Sequence, residues 1–547
     1  MKTLKYCSLC LCSLLMASCY EDEGNYTYAD GIEDIQVKLK KVYGVKKSKE
    51  KMVYTITPEI STPDNDKSYL EYTWLRSTAS ENDVKADTIG TAEELKIEID
   101  PNIQDFAYKH YIRLYVKDNR HDTETMRSTV LEIIKPYSYS WVVLHEQNNH
   151  AELGAVEYVG TDIYVTPDAY TKEHGESLTG KPLCMSVAQS KTYDYYWGYD
   201  VMSKLFVNTT NVKESGLYNQ AEGFKLMADW SQLFFPTQYA NIDFNNMELF
   251  ASANSGLVAI SNGRAYNNCY YSPFLFEMPS DPNLLHGYDL GIAVAGPHTA
   301  AVFDKKNHRF LHMALQSSGF WTGINQQEIN DGAPIQNIAK KEANAIDPDH
   351  LDEDIEIIGS CNGYHYSQLN PAIWQKYTGY MYGLGSGNTS HVYVFHYYGL
   401  TNAKEPSIPY HFEFITPEGV KKGTPFASGY EYNNIIFYAV GNKVYKLDVS
   451  TGKSTMIYQH EESTATISCL KMAVDGYVAF EGNDDEGTES YGHPYTRTLG
   501  VGVNKADGTG DFVVLQLNSA GKVDVDKKHP SIQIHKGFGK IKDIDFM

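Results

Sequence analysis

Residues 435–458 read IIFYAVGNKVYKLDVSTGKSTMIY, and the order of apolar and polar positions predicts three short strands. Residues 435–440 are an apolar, β-branched and aromatic run. Gly441-Asn442 follows as a two-residue turn signal. From Tyr445 the chain alternates. Tyr445, Leu447 and Val449 fall on one side, Lys446 and Asp448 on the other, which is the period of a strand with one buried face. Ser450-Thr451-Gly452-Lys453 turns the chain again, and residues 454–458 supply the third strand. Three short antiparallel strands cannot bury their faces alone and need neighbours of the same kind.

The chain supplies those neighbours. Strand-like runs recur at 140–144, 155–165, 205–207, 256–266, 299–313, 380–384, 391–397, 472–480, 498–503 and 512–517. Their spacing of about 55–60 residues exceeds that of common propeller repeats, with the extra length in loops. A β-propeller of about seven blades is predicted, with six or eight open and two stacked sandwiches as the alternative. Residues 541–546 are expected to close the ring by joining the first blade.

A second pattern precedes this one. Residues 35–39, 53–60, 69–75, 95–99, 111–116 and 129–134 read as strands separated by turn-rich or Pro-containing segments. Six or seven strands in so short a stretch predict a sandwich of immunoglobulin type, with Trp74 as its core aromatic. At 547 residues the chain exceeds one ordinary core, so two domains are expected. The predicted division is 1–18 signal peptide, 19–33 tether, 34–136 sandwich and 137–547 propeller.

Composition supports an all-β fold, with 43 Tyr and 42 Gly. The net charge of −22 argues against nucleic acid as a partner, because its phosphates would be repelled. Lys2 and Lys5, the apolar Leu9, Leu11, Leu14, Leu15 and Met16, and the small Ala17 and Ser18 lead to Cys19. This order resembles a bacterial lipobox, with Cys19 as the lipidated first residue of the mature chain. The apolar run is too short to span a bilayer, so the expected membrane contact is the lipid anchor alone. Tyr20-Glu21-Asp22-Glu23 behind it resembles the surface-export signal of Bacteroidetes lipoproteins. Cys184, Cys269, Cys361 and Cys469 are widely spaced and read as buried free thiols rather than disulfides or a metal site.

Tyr72-Thr73-Trp74, followed by the run from Tyr111 to the Asp118-Asn119 turn, resembles a PKD-type domain, although Leu75-Arg76-Ser77 stands where that family carries Gly-Asp-Gly. Together with the Cys19 start, the chain resembles the PKD-like lipoproteins of Bacteroidetes, which accompany SusC/SusD-type outer-membrane nutrient importers. The resemblance implies a surface-exposed outer-membrane lipoprotein acting as a non-catalytic accessory subunit. Its expected partners are the SusC/SusD-type transporter complex and an oligopeptide or oligosaccharide. The alternatives are a purely structural subunit of that complex and a propeller-type hydrolase or lyase.

Motifs for chemistry fail on spacing. His145 and His150 stand five apart rather than the four that place two zinc ligands on one helical face. Thr451-Gly452-Lys453-Ser454 lacks the earlier glycine of a phosphate-binding loop and reads as a hairpin turn. The acidic runs Asp347, Asp349, Asp352, Glu353, Asp354 and Asp484, Asp485, Glu486 read as solvated loops rather than calcium sites. No catalytic residue, metal ligand or cofactor is predicted. Aromatic clusters include Tyr193 to Tyr199, Tyr266 with Tyr270 and Tyr271, Tyr364 with Tyr366, and Tyr397-Tyr398. The ligand-binding candidates are Tyr195, Tyr196, Trp197 and Tyr199, because alternation cannot bury all of these rings on one face.

Overall fold

Period-two alternation builds the N-terminal domain directly. The strand Lys109–Asp118 alternates between buried and more open positions along its whole length, and lies at the centre of a five-stranded sheet. Its neighbours are Thr123–Ile134 on one side and Leu70–Ser77 on the other, with Val42–Lys46 and Asp87–Gly90 at the edges. Two strand pairs, Gln36–Lys38 with Glu59–Ser61 and Met52–Ile56 with Leu95–Ile99, complete the sandwich. Trp74 is fully buried in its core with Ile56, Ile112, Leu114 and Val116. The Trp74 indole N–H donates to the Ala92 carbonyl at 2.8 Å, so its one polar atom is satisfied. The chain is a computed structural model that describes residues 35–47, 50–77, 86–100, 109–160, 162–190, 202–251, 257–268, 275–278, 284–296, 299–315, 335–340, 346–366, 376–398, 406–473, 477–481, 490–525 and 530–547.

Two strands of the sandwich differ from the sequence reading. Val42–Lys46 runs parallel to Val130–Ile134, and Gly44 and its one lysine, Lys46, hide its alternation. The run 53–60 is two strands in different sheets, divided at Pro58, which cannot donate to a ladder.

Among the described residues, seven four-stranded antiparallel sheets follow, each a blade. Their innermost strands are Lys540–Phe546, Pro182–Ser190, Glu248–Ala251, Leu290–Ala295, Glu356–Tyr366, Phe426–Ala427 and Thr466–Met472. Each touches the next, and the last touches the first, so the ring closes. Blade one joins both ends of the domain: its inner strand Lys540–Phe546 pairs antiparallel with Ser140–Gln147. Seven hydrophobic clusters lie in the seven gaps between adjacent blades, and one more fills the sandwich. Much of the tyrosine content is spent there: Tyr218, Tyr266, Tyr380, Tyr393, Tyr397 and Tyr432 are all buried.

The blade that first suggested the fold differs in detail. A bulge at Val444/Tyr445 shifts the register of Lys443–Asp448, so Val444 is buried and Tyr445 only half-buried, while Leu447 and Val449 remain inside. The run 472–480 is divided between the inner strand of blade seven, which ends at Met472, and a separate hairpin of Tyr477–Glu481 with Ser490–Pro494.

The two domains meet at backbone level. A Cβ on Gly44 would lie 2.3 Å from the Gly160 nitrogen and 2.4 Å from the Val159 carbonyl carbon. Lys46 beside it reaches the buried Glu157 at 2.6 Å and sits 4.2 Å over the Tyr137 ring, and the Tyr137 backbone N–H donates to Glu157 at 2.8 Å. Among the described residues, no helix is long and apolar enough to cross a membrane.

Candidate functional site

An inner strand of a propeller is the last in its sheet, so its channel-facing edge carries N–H and C=O groups with no fifth strand to pair them. Side chains from neighbouring blades take up part of that capacity. On the closing strand, Asp543 and Asp545 share one side, two residues apart. Asp543 accepts from the Met185 N–H at 3.0 Å, and Asp545 from the Val187 N–H at 2.8 Å. Each carboxylate also accepts from the backbone N–H that follows it. In blade five, Ser360 donates to the Ala293 carbonyl at 2.6 Å and Asn362 to the Ala251 carbonyl at 3.2 Å.

Asp545, Ser360 and Asn362 line a central cavity of about 170 Å³, to which all seven inner strands contribute. Lys471 enters it from blade seven and places Nζ 3.6 Å from Asp545 Oδ2. The lysine lies deep in the ring yet keeps 35% of its side-chain surface open to the channel. Burial pushes both aspartates above the usual carboxylate range, and the Lys471 charge opposes that shift. For Lys471, burial favours the neutral amine, but the charges of Asp545 and Asp543 outweigh it and raise its pKa.

Among the described residues, the serines of the lining are not paired with a base. Ser428 donates to the Ile435 carbonyl at 2.6 Å, so it and Ser360 both have backbone partners rather than a base. Among the described residues the lining holds no histidine. Burial pushes the Cys361 thiol up, away from the reactive thiolate.

The sequence candidates fall elsewhere. Cys19, Tyr195, Tyr196, Trp197 and Tyr199 lie outside the described residues, as do Cys269, Tyr270, Tyr271 and the 484–486 run. Tyr266 meets Phe234 edge-on at 5.3 Å, and Tyr397 donates to the Val294 carbonyl at 3.0 Å; both are packing residues. His145 and His150 stand in strands joined by an Asn148-Asn149 turn at φ of 53° and 64°. His145 is buried and bonded on both ring nitrogens, to the Pro167 carbonyl at 2.8 Å and the Gly539 N–H at 2.9 Å. Cys184, Cys361 and Cys469 are free thiols. The pair missed from sequence, Asp543 and Asp545, carried a readable signal: two acids at i and i+2 in a strand already expected to close the ring.

The solved structures similar to this chain are distant. A quinonprotein alcohol dehydrogenase-like protein from Bacteroides thetaiotaomicron is 12% identical, with 93% of this chain and 94% of that chain covered and a TM-score of 0.33. An auxiliary nutrient binding protein from the same organism is 9% identical, over 86% of this chain and 94% of that one, with a TM-score of 0.23. The WD40 domain of SCAP from fission yeast is 13% identical, over 64% and 74%, with a TM-score of 0.29. No curated protein matches. Residues 19–182, which span the sandwich and the three outer strands of the first blade, match the model of the PKD-like family.

Proposed function

We propose that this protein is a lipid-anchored accessory subunit of a SusC/SusD-type nutrient importer at the outer-membrane surface. In this reading Cys19 carries the anchor, the sandwich is a spacer, and the propeller presents its channel to solvent. The protein binds an oligopeptide or oligosaccharide and does not cleave it. The observation that carries this reading is the channel itself: polar backbone edges converge from seven blades, and its serines Ser360 and Ser428 are committed to carbonyls rather than to a base.

The cavity of about 170 Å³ is smaller than the roughly 300–1,000 Å³ of drug-sized ligand pockets, so it suits one end of a chain-like ligand. Asp545 lines the cavity beside Lys471 and the charge of Asp543 acts on the same ammonium, so the acids outnumber the base there, which favours a cationic group such as a peptide amino terminus.

The test is a mild-detergent purification of the tagged protein from its native outer membrane, with mass spectrometry of everything retained. Recovery of a SusC/SusD pair together with peptide or glycan is the expected result. Recovery of the protein alone overturns the accessory reading. Turnover of mixed peptides or glycans by the purified chain overturns the non-catalytic part.

A further inference from the structure

We infer that His391, His411 and Glu413 bind a divalent transition-metal ion of the zinc class on the fifth blade, away from the channel. The three residues come from adjacent antiparallel strands, Thr389–Tyr398 and Ser407–Ile415. His391 lies opposite Glu413, and Tyr393 lies opposite His411. Residues two apart share a face of a sheet, so all four side chains project from one side, with the histidines as a diagonal pair.

The distances suit an ion. His391 Nδ1 and His411 Nε2 are 3.1 Å apart. Glu413 Oε1 is 3.8 Å from His391 Nδ1 and 3.7 Å from His411 Nδ1. One ligand atom from each residue falls within 4.8 Å of the others. Tetrahedral ligands at about 2.0–2.1 Å from zinc stand roughly 3.3 Å from one another, between the 3.1 Å and 3.8 Å that separate His391 Nδ1 from His411 Nε2 and from Glu413 Oε1. Without an ion the two imidazoles share one proton in an N–H···N bond. Metal binding takes the lone pairs of both nitrogens, so the shared proton moves to the other nitrogen of its own ring and both imidazoles bind as neutral ligands.

A separate observation points to a missing group here. Tyr393 is fully buried, yet its hydroxyl has no hydrogen-bond partner among the described residues. Its ring stacks on His411 at 4.5 Å, and the carboxylates whose charges reach its phenol are Asp352, Glu413 and Asp354. A buried hydroxyl left unpaired is costly. Three protein ligands leave a tetrahedral ion one open position, and water held there would be a partner for this hydroxyl.

The donor set selects the metal. Two imidazoles and one carboxylate suit zinc, copper or nickel, whereas calcium and magnesium prefer oxygen donors throughout. Asp352 and Asp354, from the loop that leads into this blade, add negative charge nearby. Gly385 makes room for the buried ring: a Cβ there would lie 2.6 Å from His391 Nε2.

The experiment uses the full chain purified without a histidine tag and stripped with chelator. Zinc is titrated by calorimetry, and cobalt by visible spectroscopy. The expected result is one saturable equivalent and the intense visible bands of tetrahedral cobalt. His391→Ala and His411→Ala each remove the equivalent and the bands, and Glu413→Gln weakens binding tenfold or more. The half-exposed His411 is the safer variant for folding, and an unchanged melting temperature in chelator establishes that it folds. An absence of saturable binding overturns the inference. So does an equivalent that survives in the His391→Ala/His411→Ala double variant.

Discussion

Acid should loosen the ring at His145. This residue is fully buried in blade one, where its Nδ1 accepts the Gly539 N–H at 2.9 Å and its Nε2–H donates to the Pro167 carbonyl at 2.8 Å. Gly539 immediately precedes the closing strand, so the neutral imidazole ties the two ends of the propeller together. Protonating Nδ1 would set one N–H against another. Burial lowers the His145 pKa from 6.5 to about 4, against the raising effects of the Pro167 bond and the Asp168 charge. The sign follows from linkage. Above pH 6.5 the folded and unfolded chains are both neutral here. Between pH 6.5 and 4 only the unfolded chain takes up the proton, so stability falls with pH across that window. The loss is fully expressed below about pH 4. At 1.36 kcal/mol per pKa unit the loss is roughly 3 kcal/mol, a large share of an ordinary domain's 5–15 kcal/mol. His145→Asn keeps an acceptor for Gly539 but removes the titration. It should be less stable than the parent by about 1–3 kcal/mol at pH 7, because the Pro167 carbonyl loses its donor. The gap should close or reverse at pH 4.5. Urea unfolding at stepped pH, followed by tryptophan fluorescence, measures this. Parallel stability curves for the two proteins between pH 7 and 4.5 would refute the reasoning.

Other perturbations probe the joint, the channel and the closure. Gly44→Ala drives a methyl into the backbone of Gly160 and should cost about 1–3 kcal/mol at the domain joint; calorimetry should show the sandwich melting earlier, and small-angle scattering a larger radius of gyration. Lys471→Met leaves Asp543 and Asp545 without their cation and should destabilise by about 1–3 kcal/mol, reduced from a fully buried case because the lysine is partly open to the channel. Adding Asp545→Asn to that variant should recover part of the loss in chemical denaturation. Ile544→Ala, at a fully buried position of the closing strand, should cost about 2–5 kcal/mol, read as a lower denaturation midpoint.

The architecture was legible because blades repeat a local signal. Alternation and turn dipeptides placed blade six, and the terminal run 541–546 stood out as a strand lacking a local partner. The sandwich was legible through Trp74 and the alternation of 111–116. What stayed hidden was whatever lacked a local pattern. Phe426–Ala427 is an inner strand of two residues, too short to show a period. Val42–Lys46 is an edge strand whose partner lies beyond position 129. The cluster on blade five was invisible for another reason. His391 shares its strand with His396 rather than with His411, and only the register of two strands makes His391 and His411 a pair.

The channel contacts were hidden by distance, and the same distance defines their role. Asp543 and Asp545 bond residues 358 positions earlier in the chain, so these bonds exist only once the ring has closed. A ligand entering the channel meets inner edges whose hydrogen-bonding capacity is partly taken by Asp543, Asp545, Ser360 and Asn362. It must therefore either use the groups left over or displace contacts that hold neighbouring blades together. The first route gives binding that leaves stability of the ring unchanged apart from mass action. The second couples binding to the closure that His145 and Ile544 secure, so weakening the closure should then also weaken the ligand. Comparing ligand affinity in the parent and in Ile544→Ala separates the two routes, because that side chain faces blade seven rather than the channel.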